Sequence, residues 1–131
     1  MKGLDTNVLV RYLTQDDRAQ SLKANAIVDQ ALAGDERLHL DMVVLCELVW
    51  VLRSAYGYDR ATVADTLAKL IEAGQLSVDD RDRLREAIRR YAEGAGDFAD
   101  HVLALRNRSA GCETTLTFDR AHRKSDLFTV L

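Results

Sequence analysis

Arg37-Leu38-His39-Leu40-Asp41-Met42-Val43-Val44-Leu45-Cys46-Glu47-Leu48-Val49-Trp50-Val51-Leu52 is the stretch whose reading decides the fold. Its first four residues read as a short strand, and the residues from Met42 onward form an apolar run long enough for a helix. Asp41 between them is the residue type that caps a helix N-terminus. The segment therefore predicts a strand passing directly into a helix, half of a βαβ unit. One acid sits inside the apolar run. If the run is helical, the residues one turn from Glu47 are Val43, Val44, Trp50 and Val51, and none can pair with a carboxylate. Burying an unpaired ionised acid costs on the order of several kcal/mol, so a buried Glu47 either neutralises or finds a cation from elsewhere.

The alternation extends in both directions. Lys2-Gly3-Leu4 reads as a first strand, followed by a helix through Val8, Leu9 and Val10. A second helix covers roughly 19–32, with Ala24, Ile27, Val28 and Ala31 at i, i+3, i+4, i+7 spacing and Gly34 at its stop. Tyr56-Gly57-Tyr58-Asp59 breaks the helix that carries Glu47. A further helix follows with Val63, Leu67, Leu70 and Ile71 on one side, then a third strand at Leu76-Ser77-Val78. Leu84, Ala87, Ile88 and Tyr91 mark the next helix, and Gly94-Ala95-Gly96 punctuates the chain before another over 97–108. Residues 114–118 are the clearest β run, and 127–131 a last strand. Strands separated by helical patterns predict parallel pairing with helices on both faces of the sheet. No repeat or linker interrupts the chain, so one α/β domain over 1–131 is expected.

A chain of 131 residues is the size of a domain that buries about two thirds of its unfolded surface. No stretch approaches the ~20 apolar residues of a spanning helix, which excludes an ordinary membrane span. A net charge of −3 makes no global case for nucleic acid, although a local basic surface is compatible with it. Arginines outnumber lysines 14 to 4, and arginine suits bidentate phosphate contacts. Solvated helix faces are the favoured reading for most of them. Cys46 and Cys112 lack metal-type spacing, and Cys46 reads as a small core residue. The opening Met1-Lys2-Gly3-Leu4-Asp5 has no signal-peptide apolar region, so a cytoplasmic location is expected.

In open parallel sheets, sites form beyond the carboxyl ends of the strands. Asp5 follows the first predicted strand and Asp119 follows the 114–118 strand. Glu47 lies almost two turns into the helix after the second strand. Asp97 and Asp100 share a face of the first turn after the glycine break. Each has a plainer reading: Asp5 or Thr6, Asp97 and Asp119 are all placed to cap helices. Glu47 has the poorest such alternative, because a buried pair with a distant arginine gains little over an apolar substitute. Carboxylates converging at one edge raise one another's pKa, and a hard divalent cation removes that repulsion. Mg²⁺ or Mn²⁺ on carboxylate and water oxygens is the fitting chemistry, and metal-assisted phosphodiester hydrolysis the matching reaction. His39, His101 and His122 show no zinc spacing and read as core or surface residues; His122 stands out by lying close after Asp119. No glycine-rich nucleotide loop or nucleophile-elbow serine occurs. Trp50 reads either as core packing beside Leu48 and Leu52 or as an interface anchor.

Leu4-Asp5-Thr6-Asn7-Val8-Leu9-Val10, the Glu47 helix, Asp97-Phe98-Ala99-Asp100 and Leu116-Thr117-Phe118-Asp119 resemble, in order and approximate spacing, the motifs of PIN-domain ribonucleases. More narrowly, the chain is similar along its whole length to VapC-type toxins of bacterial toxin–antitoxin pairs. The resemblance implies a three-layer α/β/α fold around a central five-stranded parallel sheet. It implies a Mg²⁺- or Mn²⁺-dependent endoribonuclease that forms a homodimer and is inhibited by a small antitoxin protein. Carried over by residue, the metal-binding and catalytic acids are Asp5, Glu47, Asp100 and Asp119, with Asp97 in reserve for Asp100. Thr6, Asn7 and Thr117 orient ligands or water. Arg11, Arg106, Arg108, Arg120, Arg123 and Lys124 are candidates for RNA phosphate contacts.

Two other classes compete. A receiver-like phosphotransfer domain shares the length and the strand-end acids, and Asp79-Asp80 after the third strand fits it. It would also need an acidic pair after the first strand and a lysine after the last, which this chain lacks. A non-catalytic PIN-like interaction module is the other alternative, opposed by the presence of all four acids.

Overall fold

Strands and helices alternate through the computed structural model, which describes residues 1–34 and 36–131. The chain divides into two compact units, Met1–Asp79 and Asp80–Leu131.

In the first unit, β1 (Lys2–Gly3), β2 (Leu38–Leu40) and β3 (Leu76–Val78) pair in parallel in the order β1-β2-β3, with Gly3 opposite His39 and Leu40 opposite Val78. Parallel neighbours need crossover connections. Two helices, α1 (Thr6–Thr14) and α2 (Arg18–Ala33), connect β1 to β2, and α3 (Met42–Ser54) and α4 (Arg60–Glu72) connect β2 to β3. Aspartates start three of them: Asp17, Asp41 and Asp59 accept the backbone N–H of Gln20, Val43 and Thr62. Their apolar stripes supply the buried side chains, among them Leu9, Val28, Leu45, Leu48, Leu52, Val63 and Leu67, together with Leu38 and Leu40 of the sheet.

The third helix corrects two expectations. Leu45, Leu48, Val49 and Leu52 take its buried face, which leaves Glu47 exposed beside Val43 and Trp50, 60% and 70% exposed. Apolar residues lie around most of this helix, yet a helix turns only one stripe to the core. Leucines three and four positions apart claim that stripe. Glu47 is therefore not a buried acid, and Trp50 is not core packing.

The second unit holds α5 (Arg81–Glu93), α6 (Phe98–Ser109), β4 (Thr115–Thr117), a 3-10 turn at Arg120–His122 and β5 (Phe128–Val130). β4 and β5 pair in parallel, Thr115 opposite Phe128 and Thr117 opposite Val130. Tyr91, the last buried residue of α5, meets Phe98 edge-on at 6.1 Å between ring centroids. Gly94 ends α5 where a Cβ would stand 2.8 Å from the Arg90 carbonyl oxygen. Among the described residues, the α/β class and the five parallel strands are those expected. They form two sheets, of three strands and of two, where one central sheet was expected. Each strand has only two or three residues against a usual five or six or so, and ladders that short carry few bonds to extend a sheet.

Candidate metal centre

Asp5 follows β1 and occupies the N-cap position of α1, yet its carboxylate takes no cap hydrogen bond. The carboxylates of Asp17, Asp41, Asp59, Asp80 and Asp119 all accept one at theirs. The plainer reading of Asp5 as a helix cap thus loses its physical basis, because the bond that would stabilise the helix is absent. Next along the chain, Thr6 is 4% exposed and needs a partner for its hydroxyl. That hydroxyl donates to Glu47 Oε2 at 3.1 Å, which ties the acid on α3 to the first turn of α1. Asn7 is exposed on the same turn. Arg11 is engaged elsewhere: its guanidinium donates to Gln20 at 2.7 Å, Asp16 at 3.1 Å and the Tyr56 hydroxyl at 3.0 Å, and the same hydroxyl donates to Asp16. These bonds brace the corner between α1 and α2.

In the second unit Asp97 is the N-cap of α6, and Asp100 lies in its first turn. Asp100 Oδ2 accepts the Asp97 backbone N–H at 3.3 Å and His122 Nε2 at 3.0 Å. Asp119 leaves β4 and caps the 3-10 turn, its Oδ1 accepting the Ala121 N–H at 2.9 Å, while its own N–H donates to the Thr117 hydroxyl at 3.0 Å. Asp119 Oδ2 stands 3.9 Å from His122 Nε2. One ligand atom each from Asp100, Asp119 and His122 lies within 4.8 Å of the others. Two oxygens sharing Mg²⁺ at about 2.1 Å each can stand up to about 4.2 Å apart, so small side-chain movements suffice. Oxygen donors predominate in the group, which suits Mg²⁺ or Mn²⁺. Asp100 belongs to this cluster and Asp97 does not.

The structure thus brings Glu47 to Thr6 in one unit and Asp100 to Asp119 in the other. His122 joins the second group although the sequence predicts a core or surface role for it; its closeness after Asp119 is the signal that points here. A second group, His39, Asp41 and Asp79, gathers where β2 and β3 end. The sequence predicts only a cap at Asp41, and Asp41 does cap α3, accepting from Val43 N at 2.8 Å. That both acids directly follow strands was the signal for this group. Asp80, the other half of the acidic pair that suggested a receiver, caps α5 and pairs with Arg83 at 2.7 Å.

The predicted phosphate-contacting residues Arg106, Arg108, Arg120, Arg123 and Lys124 are all exposed. Arg108 pairs with Glu86 at 3.4 Å. Arg123 and Lys124, with Arg89, Arg90 and His122, line a cleft of about 530 Å³. Arg90 bonds Asp126 at 2.7 Å, and that hydrogen bond holds the Asp126 carboxyl below the usual carboxylate range.

The family model for the PIN domain matches residues 3–126. Among curated proteins the chain is similar to a VapC ribonuclease of Aquifex aeolicus (strain VF5), 24% identical over 131 residues that span 99% of this chain and 96% of the relative. No solved structure matches significantly. Among the described residues, no helix is long and apolar enough to cross a membrane.

Proposed function

The chain belongs to the PIN domain family, and on that premise we propose that it is a Mg²⁺- or Mn²⁺-dependent endoribonuclease, the toxin of a bacterial toxin–antitoxin pair. Residues 1–131 act as a single PIN-like domain in the cytoplasm. The convergence of Asp100 and Asp119 carries this reading: neither Asp100 Oδ1 nor Asp119 Oδ2 is held by a backbone donor among the described residues. The full-length similarity to a relative named as a ribonuclease supports RNA as the substrate.

Asp5 and Glu47 in the first unit, and Asp100 and Asp119 in the second, are the proposed metal-binding acids. Once bound, such a cation lowers the pKa of a coordinated water and stabilises charge on the phosphate under attack. Asp5 keeps its carboxylate off the helix cap and available. Thr6 fixes one oxygen of Glu47 and leaves the other, Asn7 orients water from the same turn, and Thr117 fixes the backbone at Asp119. Arg106, Arg108, Arg120, Arg123 and Lys124 take RNA phosphates. Arg11 contributes least, since its donors are engaged by Gln20, Asp16 and Tyr56. The exposed Val43 and Trp50 on α3 suit a protein partner, a second copy or a small antitoxin.

Purified protein with Mn²⁺ should cleave RNA, and Asp5→Asn should remain folded and inactive. Full cleavage by pure Asp5→Asn would sink the assignment. Absence of metal-dependent cleavage across a broad RNA panel, in antitoxin-free protein, would instead favour a non-catalytic module. Sequencing RNA ends after brief induction would name the target.

A further inference from the structure

We propose that His122 is a positioning residue: it fixes one oxygen of Asp100 so that the other faces the cation. The inference rests on the metal-dependent reading above. His122 is 2% exposed, and its ring is held on several sides. Phe128 of β5 stacks on it at 3.9 Å between centroids, and His101 of α6 meets it edge-on at 5.6 Å. His101 is itself anchored, its Nε2–H donating to the Ala95 carbonyl at 2.9 Å. Gly96 has φ +86, a left-handed conformation, and a Cβ there would lie 2.2 Å from His122 Cε1. The glycine therefore both adopts a backbone that favours glycine and leaves space for the imidazole.

The direction of the hydrogen bond follows from the acceptor. An ionised carboxylate has no proton to give, so His122 Nε2 carries the hydrogen bonded to Asp100 Oδ2 at 3.0 Å. The same oxygen accepts the Asp97 N–H at 3.3 Å. Two donors from different elements, one in the 3-10 turn and one at the start of α6, fix the carboxylate plane, while Oδ1 has no protein donor among the described residues. Support of this kind around a metal ligand changes affinity by about ten- to a hundred-fold.

The test is Mn²⁺ binding to the intact chain without RNA, followed by the electron paramagnetic resonance of free Mn²⁺, alongside thermal melting. His122→Phe keeps a ring against Phe128 and loses the donor; His122→Gln keeps a donor without the ring. Expected are a ten- to hundred-fold weaker Mn²⁺ affinity in His122→Phe with a melting temperature within a few degrees of the parent, and partial recovery in His122→Gln. Unchanged affinity in His122→Phe overturns the proposal. So does a directly bound nitrogen in the pulsed spectrum of the Mn²⁺-loaded parent that disappears in His122→Phe, since His122 would then be a ligand. If His122→Phe fails to fold, His122→Gln decides: affinity within tenfold of the parent supports positioning, and a larger loss overturns it. Asp119→Asn separates the two levels. A parent that binds no Mn²⁺, or binds it as Asp119→Asn does, defeats the metal-centre reading itself.

Discussion

Glu47 shows how one residue's role turns on which stripe of its helix meets the core. Its face carries Val43 and Trp50 but points outward, and its partner is the buried Thr6 hydroxyl on another helix. Replacing an exposed carboxylate by its amide removes charge and little packing. Glu47→Gln should therefore change unfolding free energy by no more than about 0.5 kcal/mol while weakening Mn²⁺ binding at least about tenfold. Urea melts in divalent-free buffer check the first expectation and Mn²⁺ titration the second. Marked unfolding of the variant would return Glu47 to a structural role.

At the level of elements, the N-caps separate two kinds of aspartate. Asp41 accepts the Val43 N–H at the start of α3, so Asp41→Ala should cost about 1 kcal/mol. Asp5 makes no such bond, so Asp5→Ala should cost clearly less. Equal losses in parallel denaturant titrations would show that Asp5 is an ordinary cap. A second device of this scale links α5 to the segment before β5, where Arg90 holds Asp126 below the usual carboxylate range. Because the folded-state pKa of Asp126 is depressed, its contribution is present above the unfolded value near about 3.9 and is lost as pH falls through the folded one. Melting temperature below about pH 4 should then fall less steeply for Asp126→Asn than for the parent. Identical slopes would remove Asp126 from acid unfolding.

Across the whole molecule, a cation that binds only the folded chain must stabilise it by mass action. Mn²⁺ at about a hundred times its dissociation constant adds about 2.7 kcal/mol. The melting temperature should rise by several degrees on adding Mn²⁺ and return on chelation, whereas Asp119→Asn should show little of this shift. A parent insensitive to both treatments would contradict a carboxylate metal centre. Binding should also be tighter at neutral than at acid pH, since protonated carboxylates are poor ligands.

The alternation of strand and helix, the aspartates at strand ends and the Asp5-Thr6-Asn7 opening were legible because each depends on local chemistry: apolar period, turn residues and short-range hydrogen bonding. Element boundaries shifted by a residue or so, as at β4, read over 114–118 and formed by Thr115–Thr117. What the chain alone left open depends on contacts between residues distant in sequence. Thr6 meets Glu47 forty-one positions away, and His122 meets Asp100 twenty-two away. A helix with apolar residues on several sides does not declare which stripe will face the core, and a histidine near an acid does not declare where its ring will be held. The sequence by itself determined an α/β chain rich in carboxylates where its strands end. Only the tertiary structure decided that Glu47 is exposed, that Asp5 stays off its cap, and that Asp100 rather than Asp97 meets His122. The reason is that burial and long-range hydrogen bonds are settled by packing, which no local pattern encodes.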